Sequence, residues 1–135
     1  LWTDPDTGVQ CKARADWLCG SSHKAILDVK TAQDASESAF RRACGNFAYH
    51  LQAAWYTRAG AACGLGELAF VFLVVESAPP HGVALYQLDA EAMHAGNVRA
   101  QRALELYAEA TRTGTFPSYP TPIQELALSK WALGV

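Results

Sequence analysis

The stretch Ile26-Leu27-Asp28-Val29-Lys30-Thr31 decides the fold class of this chain and the chemistry to look for in it. Successive side chains of an extended strand point to opposite faces, so Asp28 and Lys30 share one side while Leu27 and Val29 take the other. A carboxylate and an ammonium therefore stand together on an otherwise apolar strand. Upstream, Val9-Gln10-Cys11-Lys12-Ala13-Arg14-Ala15-Asp16 alternates too, with Gln10, Lys12, Arg14 and Asp16 on one face. Pairing of the two segments as neighbouring strands predicts that Asp16 meets Asp28.

Two carboxylates beside a lysine suit the hydrolysis of phosphodiesters, which needs an activated water, a charge clamp on the phosphorus oxygens and a stabilised leaving oxygen. A divalent metal supplies all three. Magnesium is satisfied by one or two carboxylates plus substrate phosphate, and manganese favours similar oxygen ligands. Asp16 and Asp28 are the expected ligands, with the main-chain carbonyl of Val29 as a third. Lys30 is placed to orient the attacking water and to offset charge on the phosphate. An Asp-x-Lys pair alone is also a common surface ion pair of little consequence.

From Ser36 to about Gly60, the apolar positions Phe40, Ala43, Cys44, Phe47, Leu51, Ala54 and Trp55 recur at helical spacing and predict one amphipathic helix. Gln52 and Tyr56 stand one turn apart on an adjoining face, with Tyr49 and Arg41 close to the same stripe. The ordered set of Asp16, Asp28-Val29-Lys30 and Gln52-x-x-x-Tyr56 resembles the PD-(D/E)XK nucleases. Within them it is most similar to the exodeoxyribonuclease VIII group, relatives of lambda exonuclease and of the RecB nuclease domain.

The resemblance implies an α/β fold with a restriction-endonuclease-like core, a mixed central sheet flanked by helices. It implies Asp16 and Asp28 as magnesium ligands, Lys30 as the motif lysine, and Gln52 and Tyr56 as contacts to the DNA strand near the cleaved phosphate. It further implies digestion of double-stranded DNA ends from 5′ to 3′, a single-strand annealing protein as partner, and a homo-oligomeric ring around the DNA. Family members add a histidine and a glutamate upstream of the first motif strand. Residues 1–135 are thus expected to form a single nuclease domain lacking its N-terminal helical part. His23, His50, His81 and His94 all follow Asp16 and are no substitutes. A different nuclease of the superfamily, such as an endonuclease or resolvase, and a catalytically incomplete DNA-binding or assembly module are the competing readings.

The run Leu68 to Val75 is too short to span a bilayer as a helix and predicts a strand buried on both faces. Pro79-Pro80-His81-Gly82 reads as a turn, and Val83 to Gln87 as the returning hairpin strand. A long helix is expected from the N-cap Asp89 to near Gly114, with Met93, Ala100, Leu104, Tyr107 and Thr111 along one face and Gly96 as a point of breakage. The segment Phe116 to Pro122 reads as a rigid connector to a last apolar segment around Leu126 to Leu133.

Half of the 135 residues are hydrophobic, enough for a sizeable core, and no secretory or membrane-spanning segment is visible. Cys11, Cys19, Cys44 and Cys63 include no Cys-x-x-Cys, which disfavours an iron–sulfur cluster or zinc, and Cys11 and Cys44 read as small core residues in a reducing cytoplasm. A net charge of −2 argues against a generally basic nucleic-acid protein. Lys12 and Arg14 are expected to concentrate positive charge where phosphate passes, on the strand face of Asp16.

Overall fold

The computed structural model describes residues 1–20 and 24–134, so His23 lies outside the described residues. Strands β1 (Trp2–Thr3) and β2 (Gln10–Cys11) form a small antiparallel pair. Strands β3 (Trp17–Cys19), β4 (Ala25–Ala32), β5 (Ala69–Glu76) and β6 (Val83–Tyr86) make a four-stranded mixed sheet in the order β3-β4-β5-β6. Among the described residues only the β4–β5 pair is parallel. A parallel pair needs a crossover, and helices α1 (Glu37–Asn46) and α2 (Tyr49–Ala62) provide it. Helix α3 (Ala90–Thr113) packs on α2, and α4 (Lys130–Leu133) is a single exposed turn. The expected mixed sheet with flanking helices is what the chain forms.

The core lies between the sheet and the crossover helices. Ile26, Phe70, Phe72 and Val74 from one sheet face meet Phe40 and Cys44 of α1 and Ala53 of α2. Phe40, Phe72 and Tyr86 are in aromatic contact there, at centroid distances of 5.3 Å and 5.0 Å. Strand β5 departs from expectation in one respect. Phe70, Phe72 and Val74 are buried, whereas Val71, Leu73 and Val75 are only half-covered. The partners of that second face on the neighbouring strands, Val29, Val83 and Leu85, are exposed.

The predicted single helix over residues 36–60 is two helices. Its apolar rhythm continues across the break, but Ala48 adopts a left-handed backbone (φ 53°) that reverses the chain between Asn46 and Tyr49. The long helix starts and stops where expected: the Asp89 carboxylate accepts the Ala92 N–H at 2.8 Å, and Gly114 closes the C-terminus at φ 68°. Its inward face is Gly96, Ala100, Leu104 and Ala110, so Tyr107 and Thr111 point outward. Gly96 is no breakage point but a contact. A Cβ there would lie 2.1 Å from the His50 carbonyl oxygen, so glycine lets α3 approach α2.

The N-terminal hairpin is tied to α2 by the fully buried Asp4, which takes the Arg58 guanidinium at 3.0 Å and the Thr7 hydroxyl at 2.7 Å. Trp2 packs on Trp55 at 5.0 Å. Beyond Gly114 the apolar residues Phe116, Tyr119, Ile123, Leu126 and Trp131 are all exposed. Among the described residues no helix is long and apolar enough to cross a membrane.

Candidate active site

The alternation of β4 turns Ile26, Asp28 and Lys30 toward the helices, and Asp28 ends up 3% exposed. A carboxylate this deep requires charge and hydrogen-bond partners. It has both: Lys30 Nζ stands 2.6 Å from Oδ2, and Gln52 Nε2 on α2 donates to Oδ1 at 2.7 Å. The Lys30 ammonium also lies 4.7 Å from the centre of the Tyr49 ring, held from its other side by a cation–π contact. Strand and crossover helix thus build a compact cluster of Asp28, Lys30, Gln52 and Tyr49.

Asp16 reaches the same strand by a different route from the one its sequence suggests. Residues 9–16 do not form one strand. Only Gln10 and Cys11 are extended in the small hairpin, residues 12–16 are irregular, and the strand that pairs with β4 begins at Trp17. That pairing matches Trp17 with Leu27, so Asp16 lies one step beyond the last ladder pair, on the Asp28 side. The Asp16 carboxylate closes the gap by accepting the Val29 N–H at 2.9 Å. A side chain thereby stands in for the missing ladder partner.

The shared strand face expected of Lys12, Arg14 and Asp16 is therefore corrected. The Trp55 indole N–H donates to the Lys12 carbonyl at 3.0 Å and holds this backbone against α2, leaving both cationic side chains exposed. Tyr56, one turn after Gln52, packs edge-on to Phe70 at 5.9 Å and is half-buried beside the core. Val29 turns its side chain to the open sheet face, 46% exposed, and gives its N–H to Asp16. His50 and His81 are engaged elsewhere, with Arg99 at 3.1 Å and the Glu76 carbonyl at 3.0 Å.

Sequence reasoning assigned no role to Tyr49, yet its signal was present. A residue three positions before Gln52 falls on the same helix face. Two neighbours share that end of the site. Phe47 stacks on Tyr49 at 5.6 Å, and Arg42 lines the adjoining groove with Lys30.

The donor set suits a hard cation. Asp28 Oδ2 is buried, with the Lys30 ammonium at 2.6 Å and no second hydrogen-bond partner among the described residues, so it keeps acceptor capacity for a cation. Asp16 commits one carboxylate oxygen to Val29. No group of three or more His, Cys, Asp or Glu side chains converges among the described residues. One or two carboxylates with water and phosphate are what magnesium requires, whereas a closed zinc cage needs four protein ligands. Cys11 and Cys44 are both buried, and burial raises their thiols above the ordinary value. They are core residues.

Comparison with the curated proteins gives no match. Comparison with protein families matches residues 1–126 to the family described as a PDDEXK-like domain of unknown function, DUF3799. That span includes Asp16, Asp28, Lys30 and Gln52, the residues of the edge segment, central strand and crossover helix described above, and leaves out residues 127–135. With the mixed sheet carrying an Asp-x-Lys strand, the match shows that the chain belongs to this PDDEXK-like family, which is nuclease-type in fold.

Proposed function

We propose that this domain is a metal-dependent DNA nuclease, and within that class an exonuclease acting at double-stranded ends, 5′ to 3′, in phage- or prophage-type recombination. The observation that carries the reading is the buried Asp28 carboxylate clamped between Lys30 at 2.6 Å and Gln52 at 2.7 Å, with Asp16 fixed to the next residue of the same strand. Asp28 and Asp16, with the Val29 carbonyl, would hold magnesium or manganese. When bound, the cation supplies Lewis acidity to the phosphate and lowers the proton affinity of water.

The remaining work falls to side chains already in place. Gln52 fixes one Asp28 oxygen and leaves the other facing Lys30. Lys30 directs its N–H groups toward a water or phosphate oxygen, and the Tyr49 ring limits where the ammonium can move. Lys12 and Arg14, exposed on the segment leading into Asp16, supply positive charge for the phosphate backbone, and Tyr56 extends the helix face that meets the strand. An annealing protein as partner and a ring-shaped homo-oligomer belong to the same reading.

End-labelled linear DNA and covalently closed circular DNA, each with magnesium or manganese, test it. Release of nucleotides from the linear substrate alone supports the exonuclease. Cutting of the circle assigns an endonuclease or resolvase instead. Asp28→Ala and Lys30→Ala are expected to lower hydrolysis by about a hundredfold or more. Binding of DNA with no hydrolysis under either metal would make the domain a nuclease-like binding module.

A further inference from the structure

Beside Lys30 lies a groove of about 480 Å³ that shares Lys30 and Tyr49 with the chemistry above but whose other walls that chemistry does not use. Its walls include Lys30, Thr31 and Gln33 from the end of β4, Arg42 from α1, and Phe47 and Tyr49 from the reversal between the two helices. Its size is within the roughly 300–1,000 Å³ of clefts that hold small organic ligands. Two features give it a chemical character. Lys30 and Arg42 bring cationic groups to one groove, and Phe47 presents an aromatic ring that is 69% exposed.

Phe47 is placed there by the backbone. As the C-cap of α1, immediately before the left-handed Ala48, it swings outward while Tyr49 turns in over Lys30. The two rings stack at 5.6 Å with 27° between their planes. The Tyr49 ring therefore contacts both the Lys30 ammonium and the Phe47 ring, and Phe47 itself lies largely in solvent. Asp34 is the groove's carboxylate. It is occupied by the Ser36 N–H at 2.8 Å, and the Ser36 hydrogen bonds, with Arg42 assisting, hold it below the ordinary carboxylate value.

We propose that this groove is a nucleotide subsite, in which Phe47 stacks a nucleobase of the residue next to the scissile phosphate and Arg42 meets that residue's phosphate. Stacking on an aromatic side chain tolerates any base, because every base has a π-face. The subsite therefore favours an unpaired nucleotide at a DNA end without selecting sequence. This inference rests on the nuclease reading and adds the substrate feature that positions the strand.

The test is equilibrium binding of single-stranded and end-frayed duplex oligonucleotides carrying terminal 2-aminopurine, in calcium buffer, to the wild-type chain, Phe47→Ala and Phe47→Trp. Wild type and Phe47→Trp are expected to quench 2-aminopurine on binding, and Phe47→Ala to lose the quench and bind about tenfold more weakly. Equal affinity and equal quenching in Phe47→Ala would overturn the subsite while leaving the nuclease reading intact. No binding of any oligonucleotide by the wild type would sink both. Phe47 is mostly solvent-exposed, so its variants are expected to melt with the wild type, and Phe47→Trp keeps the comparison decisive should Phe47→Ala be perturbed.

Discussion

At the scale of single residues, the Asp28 carboxylate and Lys30 ammonium depend on one another. With their side chains only 4% and 18% exposed, removing the ammonium strands a buried anion. Lys30→Met is expected to cost about 2–3 kcal/mol in urea unfolding, toward the low end of buried-pair losses because Lys30 keeps some contact with water. Magnesium should restore part of that stability by neutralising Asp28; a melting temperature indifferent to the ion would argue against Asp28 as a ligand. The cysteines give an independent check. Burial raises the Cys44 thiol above its ordinary value of 9.0, so it stays protonated where an exposed thiol ionises, and the stability tied to the neutral thiol is full below the ordinary value and is lost as pH rises from there through the raised one. Exposed Cys63 should therefore be alkylated well before Cys44 near pH 9, as peptide mass spectrometry can follow.

At the scale of elements, what the sequence revealed and what it hid can be traced to particular residues. Alternation in β4 and the one-turn spacing of Gln52 and Tyr56 are strong local signals: β4 stands where it was expected, and Gln52 is helical as expected, although on the second of two helices. Gln52→Ala should cost about 2 kcal/mol, since a hydrogen bond to a charged group is lost, and should lower hydrolysis while leaving the sheet intact by circular dichroism. Asp89→Ala, which removes the α3 cap, should cost about 1 kcal/mol without affecting catalysis. The missed features depend on contacts that no local pattern encodes. Residues 9–16 alternate like a strand, yet the Trp55 indole binds the Lys12 carbonyl and the pairing with β4 starts only at Trp17. The α1–α2 break falls at Ala48, a residue type with no preference for left-handed backbone, and the apolar spacing runs through it undisturbed. Likewise, hydrophobicity marked β5 as fully interior, although only one of its faces is covered by helices.

At the scale of the whole molecule, the site is assembled from an edge segment, a central strand and a crossover helix, so its geometry depends on how the layers are stacked. Helix α2 is held against the sheet by the aromatic core and from behind by α3. Alanine at position 96 would force its methyl carbon to within 2.1 Å of the His50 carbonyl oxygen. Gly96→Ala is therefore expected to destabilise the domain by about 2–4 kcal/mol, as overpacking against rigid backbone does, measured as a lowered urea midpoint with an unchanged slope. The main chain at His50 lies between Tyr49 and Gln52, the residues that steady Lys30 and Asp28. The setting of the Gln52 amide against its carboxylate is thus gauged from the α3 side, where the bare backbone of Gly96 leaves the clearance and one added methyl group would act as a shim under the His50 main chain.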